Sequence, residues 1–436
     1  MQSDIESRVS GKLMRRIIPF VMLLYFVSFL DRVNVGFAAM TMNKQIGLSP
    51  AAFGFGGGLF FIGYFLFEVP SNLILHRVGA RIWIARVMIT WGIVSAASAF
   101  ASGPTSFYVL RFLLGVAEAG FFPGIILYLS LWFPGKQRAV AAAWFMAAVP
   151  LSTVLGSPIS GAIMQMPPIF GLANWQWLYF IEALPAVLLG FVVLKVLIDS
   201  PAQAPWLQQD ERAWLVGKLK EEASQRESHS GHTAGALKAL LDPRVLALAL
   251  IYFGTSAGLY TLGLWAPLMI KQFGFDALQT GLINAIPSIV ALVAMILWAR
   301  RSDRTGERTW HVVIPCVLAC LAFILAGHAN TAFMVVLALI FVNVGISAAK
   351  APLWAMPSMF LSGAGAAAGI ATINSIGNLG GFVGPAVIGW LKTQTGGYAA
   401  GLYVVAATLA LSAVMTLLLS RKSSRTAALT PARREH

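Results

Sequence analysis

The sequence predicts an all-α integral membrane protein of twelve transmembrane helices, arranged as two pseudo-symmetric halves of six. Three observations carry that prediction. The 436 residues are 58% hydrophobic and only 11% charged, where a soluble domain carries about a quarter charged residues. Apolar runs of about 20 residues, long enough to cross a bilayer, recur along the whole chain. Basic residues gather in alternate loops, as the positive-inside rule requires. The formal charge of +14 is therefore assigned to membrane topology, and no nucleic-acid partner is expected.

The expected spans are residues 17–38, 52–76, 81–101, 105–132, 138–163, 175–198, 244–270, 278–299, 309–329, 332–360, 367–391 and 398–420. The first is too long for a cleavable signal, contains Asp31 and Arg32, and lacks a small-residue cleavage site after it, so it is retained. Arg8, Lys12, Arg15 and Arg16 precede it. Arg77 and Arg81 follow span 2, and Lys136 and Arg138 follow span 4. Arg300, Arg301, Arg304 and Arg308 follow span 8, and Arg421 and Lys422 open the tail. The intervening loops carry only Lys44, Lys271 and Lys392 as clear cases. Both termini are thus expected in the cytoplasm, with the chain in a bacterial inner membrane.

The one long polar segment divides six spans from six. The expected organisation is an N-terminal six-helix bundle (1–198), a cytoplasmic linker (199–243), a C-terminal six-helix bundle (244–420) and a cytoplasmic tail (421–436). The linker opens Pro-rich ("SPAQAP"), continues as a charged helix ("QQDERAWLVGKLKEEA") and ends loosely ("SQRESHSGHTAG"). His229 and His232, with His76 far away, are too sparse for a metal site. Cys316 and Cys320 lie one turn apart in an apolar span, a spacing that suits neither a disulfide nor zinc. They read as packing residues. The glycine clusters "FGFGGGLF", "GNLGGFVG" and "SGAGAAAG" follow no strand, so they read as close helix packing and not as nucleotide loops. No cofactor or metal is expected. With no Ser–His–Asp arrangement and a linker too small for a catalytic domain, neither is an enzyme.

The halves echo each other. "NLILHRVGAR" (72–81) follows span 2 and "ARRSDRTGER" (299–308) follows span 8. Arg77, Gly79 and Arg81 correspond to Arg304, Gly306 and Arg308 at a shared offset of 227 residues. Six plus six spans with a cytoplasmic linker is an architecture of secondary transporters. Here the chain resembles the major facilitator superfamily, whose loop between spans 2 and 3 reads Gly-x-x-x-Asp-Arg-x-Gly-x-Arg/Lys. The second copy agrees from Asp303 onward, with Ala299 for the leading Gly. The first has Asn72 for that Gly and His76 for the Asp, so His76 is not assigned the acidic gating role.

Charge inside a membrane costs at least about 2.5 kcal/mol per residue, and residues kept there usually face a cavity and carry function. The candidates are Asp31 and Arg32 in span 1, Glu68 in span 2, Arg111 and Glu118 in span 4, Glu182 in span 6 and Lys350 in span 10. Arg32 lies roughly 9 Å below the outer end of span 1, and Arg111 roughly 9 Å below the start of span 4. Glu118 follows Arg111 by two turns on nearly one helix face, while Asp31 points about 100° away from Arg32. An arginine presents a planar fork that pairs bidentately with a carboxylate, and a carboxyl in a low-dielectric cavity can load and release protons. The alternative is that Asp31–Arg32 and Arg111–Glu118 form structural ion pairs. Glu68 and Glu182, nearer span ends, read as structural acids. Lys350, beside Pro352, is either a second anion contact or a snorkelling or paired lysine.

The same stretches carry a closer resemblance. "FLDRVNVGFA", "YVLRFLLGVAEAGFFPG", "NWQWLYFIEALPA", "DSPAQAPWL" and "INSIGNLGGFVGPAVIGWL" are similar to the anion:cation symporter family. That family includes bacterial carriers of tartrate, phthalate, 4-hydroxyphenylacetate and sugar acids such as galactonate. The resemblance implies that Arg32 contacts a substrate carboxylate, that Asp31 and Glu118 carry protons, and that Arg111 tunes the acid. Further family positions fall on Tyr64, Trp354 and Asn374. Phe29 stands where the galactonate branch has Tyr, Ala351 and Leu353 replace hydroxyl residues, and Lys350 is added. Fewer hydroxyls and one more cation favour a smaller or more aromatic acid, with two anionic groups, over a long polyol acid. The expectation is a monomeric, bilayer-embedded symporter of a small organic anion with the proton as coupling ion, acting by alternating access. Arg32, Tyr64, Arg111, Lys350, Trp354 and Asn374 are its substrate contacts. A facilitative or exchange carrier of the same fold is the alternative.

Overall fold

The computed structural model describes residues 2–229, 242–357 and 363–429, and their elements are helical almost throughout. The helices are α1 (Gln2–Arg16), α2 (Ile18–Gln45), α3 (Pro50–Val78), α4 (Ala80–Ala97), α5 (Pro104–Glu118), α6 (Phe121–Trp132), α7 (Gly135–Met146), α8 (Ala148–Ile163) and α9 (Asn174–Val196). They continue as α10 (Gln209–His229), α11 (Pro243–Lys271), α12 (Ala277–Thr305), α13 (Thr309–His328), α14 (Ala332–Ala355), α15 (Gly363–Asn378), α16 (Gly380–Thr395) and α17 (Ala399–Leu429). Among the described residues, 11 stretches are long and apolar enough to cross a membrane. The one expected span not among them, 367–391, is covered by α15 and α16. Each of these has 16 residues, and they are separated at Leu379. The chain is a multi-pass membrane protein with the expected architecture.

Bilayer physics inverts the usual distribution of polarity. Leu66, Val69, Leu73, Ile93, Leu188 and Leu297 are exposed, as lipid-facing side chains can be, while Asp31, Arg32, Arg111, Glu118 and Glu182 are buried. Backbone groups must also be satisfied internally at membrane depth, which explains why breaks fall at particular residues. Pro19 sits in the first turn of α2, just after the interruption at Ile17, where its missing N–H costs nothing.

The expected single helix over 105–132 is instead two helices. α5 ends at Glu118, Ala119 is not helical, and Gly120 turns left-handed at φ +87° before α6 begins. The Ser71 hydroxyl on α3 donates to the freed Ala119 carbonyl at 2.6 Å, and Trp83 Nε1 on α4 donates to Ser71 Oγ at 2.9 Å. A side chain at Gly120 would strike Ser71. The break is thus satisfied by its neighbours, the condition on which broken helices persist in membranes.

The described residues form two compact units. The first comprises residues up to 229 together with 263–289. Within it α4 runs along α9, α3 along α5, and α2 against α8 and α9. The second comprises 242–262 with 290–429, where α13 packs on α14 and α17. The charged part of the expected linker is helical, as α10, and it is held to the first unit. Lys12 Nζ donates to both Glu211 oxygens at 2.7 Å, Glu222 accepts from the Gly135 N–H at 3.0 Å, and Trp206 stacks on Trp132. Residues 230–241, in the expected loose part, lie outside the described residues.

Candidate functional site

Asp31 and Arg32 are neighbours on α2, so they leave the helix about 100° apart, and the fold sends them to different partners. Asp31 faces α4. Trp91 Nε1 donates to its Oδ2 at 2.8 Å, Ser95 Oγ donates to its Oδ1 at 2.9 Å, and Asn34 Nδ2 approaches Oδ1 at 3.4 Å. Trp91 and Ser95 are four residues apart, hence on one face of α4.

Arg32 faces α5. Its Nε donates to Glu118 Oε1 at 2.8 Å and its Nη2 lies 2.7 Å from the same oxygen. Ser28, one turn earlier on α2, also donates to Oε1. The side chains of the pair are 7% and 1% exposed. Rings of Phe29, Phe60 and Tyr64 stand 5.3–5.4 Å from the Arg32 guanidinium carbon, within cation–π range. Neither of the ion pairs weighed from the sequence spacing is the one that forms here. Glu118 turns toward the neighbouring helix, and the bridge crosses between spans 1 and 4.

Arg111 is 2% exposed and lies two turns before Glu118. Its guanidinium carbon is 5.4 Å from the Phe60 ring centroid, and Nη2 reaches the Gly57 carbonyl at 3.5 Å. Nε and Nη1 are buried with no hydrogen-bond partner among the described residues. Tyr179, Glu118 and Asp31 act on Arg111 from beyond ion-pair distance. One aromatic ring, Phe60, therefore stands close to two buried cations, of which one is paired and the other has no carboxylate at ion-pair distance among the described residues.

Small residues build this proximity. A methyl group on Gly115 would strike the Phe60 carbonyl, and one on Gly63 would strike the Phe112 carbonyl. Glycine at both positions lets α3 and α5 approach backbone to backbone, which sets Phe60 beside Arg111 and Arg32, and Tyr64 beside Arg32. Tyr64 is buried, with Glu68 one turn farther along α3 and also buried.

The other expected contacts belong to the second unit. Lys350 is half-buried on α14, two residues before Pro352, and has no ion pair among the described residues. Trp354 meets the Tyr252 ring edge-on at 5.0 Å, and its Nε1 is buried without a hydrogen-bond partner among the described residues. Asn374 is buried on α15. The assignment of Trp354 and Asn374 to substrate rests on the sequence resemblance, and that of Lys350 on its charge inside a span.

Several participants escaped the sequence reading. Ser28 was detectable as a hydroxyl four residues before Arg32, and Trp91 with Ser95 as an i, i+4 polar pair inside an apolar span. Glu182, already named from the sequence as a structural acid nearer a span end, stands eight residues into α9, roughly 12 Å from its start. It falls on the buried stripe of Tyr179, Ala183, Ala186 and Gly190.

Chemically, the cluster can exchange partners. While Glu118 is ionised it neutralises Arg32; a proton on Glu118 would leave that guanidinium free for another carboxylate. Comparison with known proteins agrees with a carrier. The family profile described as Major Facilitator Superfamily matches residues 21–385. Two proteins of Agrobacterium vitis, each named "Putative tartrate transporter", are 64% and 65% identical to this chain. The first match covers 97% of this chain and 94% of the relative, the second 97% and 96%. A solved bacterial homolog of the human lysosomal transporter Spinster, in an inward-facing conformation, superposes with TM-score 0.74 at 16% identity. That match covers 93% of this chain and 96% of the other.

Proposed function

The chain belongs to the major facilitator superfamily and is a transport protein, not an enzyme; from that premise we propose that it is a proton-coupled symporter importing a small hydroxy-dicarboxylate of the tartrate class. The proposed setting is the bacterial inner membrane, with both termini cytoplasmic. The carrier acts as a monomer in the bilayer by alternating access, with the proton as coupling ion and no cofactor.

The observation that carries this reading is the buried Arg32–Glu118 bridge, 2.7 Å between Nη2 and Oε1. A buried pair is stable while both charges are present, but losing one leaves the other uncompensated at a cost of about 3–5 kcal/mol. Protonating Glu118 therefore generates a cation that demands an anion. Arg111 already has two nitrogens without partners. With Glu118 neutral, two guanidiniums flanking Phe60 match the two carboxylates of a dianion, and the Tyr64 hydroxyl offers a donor to a substrate hydroxyl. Deprotonation of Glu118 restores the internal pair and expels the substrate carboxylate. Asp31 is the second proton carrier in this cycle. The names of the Agrobacterium vitis relatives support tartrate as the substrate class.

A thermal-shift screen of organic acids on the purified protein tests the substrate class. Tartrate is expected to raise Tm more than phthalate, 4-hydroxyphenylacetate or galactonate, and more at low pH than at high. Stabilisation by an aromatic monoacid but not by tartrate would overturn the assignment.

A further inference from the structure

Helices α12 and α13 meet at a cavity of about 560 Å³ that the transport cycle above leaves unused. Trp298 and Arg301 line it from α12, Trp310, His311 and Ile314 from α13, and Glu307 from the turn between them. Trp298 and Arg301 are three residues apart, hence on one face of α12. Both helices are long and apolar enough to cross a membrane, so their junction lies at a bilayer surface and the cavity descends from it. At 1.5 Å per residue, Ile314 lies roughly 7 Å from the start of α13 and Trp298 roughly 10 Å from the end of α12. The wall therefore runs from charge at the surface to aromatic and aliphatic groups below, the order of polarity along a phospholipid. Trp310, Ile314 and the neighbouring Leu297 are exposed, so the cavity borders the lipid-facing surface.

The charges around it are unequally satisfied. Glu307 is engaged within the protein. Its Oε1 accepts from the Trp310 N–H at 2.8 Å, and its Oε2 accepts from the His311 N–H at 3.3 Å and lies 2.8 Å from His311 Nδ1. Asp303 is paired with Arg308 at 2.8 Å. Arg301 is exposed, with no carboxylate at ion-pair distance among the described residues. Arg300 and Arg304 stand beside it in sequence and are likewise exposed, so the rim is positive. An ionised carboxylate only accepts hydrogen bonds, so His311 Nδ1 carries a proton and Nε2 of the neutral ring is an acceptor. His311 is 8% exposed, and that Nε2 is buried with no hydrogen-bond partner among the described residues. A buried acceptor without a donor is unfavourable. An occupant that completes the cavity therefore brings a negative charge for Arg301, a donor for Nε2 and an apolar body for the deeper wall.

We propose that this cavity binds phosphatidylglycerol, a monoanionic phospholipid whose headgroup carries hydroxyls. Its phosphate pairs with Arg301, a headgroup hydroxyl donates to His311 Nε2, and an acyl chain lies along Trp298 and Ile314. Basic pockets between transmembrane helices bind anionic lipid headgroups, and tryptophans such as Trp298 and Trp310 favour interfacial depth. Glu307 is a positioning residue for this site, because it fixes the His311 ring and its proton. The site uses none of the residues of the Arg32–Glu118 cluster and assumes nothing about substrate or proton coupling.

Native mass spectrometry of the purified full-length protein in detergent, titrated with lipids of identical acyl chains, counts the bound molecules. Phosphatidylglycerol is expected to bind about 10-fold more tightly than phosphatidylcholine, the scale of one charged hydrogen bond. Phosphatidylmethanol has the same charge but no headgroup hydroxyl, and it is expected to bind several-fold more weakly than phosphatidylglycerol. Arg301→Gln should abolish the preference over phosphatidylcholine. Arg300→Gln removes the same charge one residue away, outside the cavity lining, and should keep it. Phosphatidylcholine binding as tightly as phosphatidylglycerol overturns the proposal. So does a preference retained in Arg301→Gln, or one lost equally in both variants, which would assign it to diffuse surface charge. Equal binding of phosphatidylmethanol and phosphatidylglycerol overturns the hydroxyl contact to His311.

Discussion

Arg32 and Glu118, 86 residues apart in sequence, meet through two nitrogens on a single carboxylate oxygen, at 2.8 Å from Nε and 2.7 Å from Nη2. The Ser28 hydroxyl shares that oxygen. Because the internal carboxylate occupies the arginine that the proposed substrate carboxylate would need, Glu118 and substrate would compete for one guanidinium, and a proton on Glu118 would favour the substrate.

That competition makes Glu118→Gln a fixed-proton mimic. Uphill accumulation driven by a proton gradient should collapse to an accumulation ratio of unity, while counterflow exchange of labelled for unlabelled substrate persists. Arg32→Ala should abolish both. It should also lower stability by up to about 3–5 kcal/mol at pH values where Glu118 stays ionised. Arg32→Ala/Glu118→Gln should recover thermal stability without recovering transport.

Arg111 carries two buried nitrogens without partners among the described residues, so its removal should affect substrate more than fold. Charged hydrogen bonds contribute about 1.5–3 kcal/mol, which converts to a rise in Kd of about 10- to 100-fold for a dicarboxylate in Arg111→Gln. A monocarboxylate should lose far less. Isothermal titration with the two classes of acid checks the difference.

The break after Glu118 depends on Ser71, which donates to the Ala119 carbonyl and accepts from Trp83. Ser71→Ala leaves a buried carbonyl and an indole N–H short of partners, with an expected cost of about 1–3 kcal/mol. Ser71→Thr should restore most of it. Thermal unfolding in detergent reads both.

Gly115 faces backbone atoms of α3 that cannot swing aside. Gly115→Leu should therefore cost at least the roughly 1–3 kcal/mol of ordinary overpacking and push Phe60 away from Arg111. A lowered Tm with a parallel loss of substrate-induced stabilisation is the expected signature.

The contact between Lys12 and Glu211 should be sensitive to acid. Burial pushes the Glu211 carboxyl up, but the hydrogen bond from Lys12 and the backbone N–H of Gln208 together hold it below the ordinary carboxylate range. A carboxylate whose folded value is depressed stabilises the fold above its unfolded value of about 4.3, and loses that contribution as pH falls through the folded value. Limited proteolysis should find α10 protected at neutral pH and cleaved in acid. Glu211→Gln should already be susceptible at neutral pH.

The twelve spans were legible because lipid imposes a length and a polarity on each one. The charged residues were legible because their cost at membrane depth singles them out. Partner choice was not. Whether Glu118 meets Arg111 on its own helix or Arg32 on α2 depends on how α2 and α5 are rotated against each other. That rotation follows from tertiary packing, including the seating of α5 on α3 at Gly115 against Phe60, which no single-helix pattern reports. The interruption at Ala119–Gly120 was hidden for a related reason. Glycines in membrane helices usually serve packing, and only the tertiary donor Ser71 distinguishes a satisfied break from a close contact.

The most direct measurement is tartrate uptake into proteoliposomes that enclose a pH-sensitive dye, with no pre-formed proton gradient. Adding tartrate outside should acidify the lumen in step with uptake for the wild-type protein, and Glu118→Gln should exchange substrate with a much smaller acidification. Wild-type uptake of tartrate at full rate with no change in lumenal pH would contradict the account, because substrate would then reach its site without a proton on Glu118.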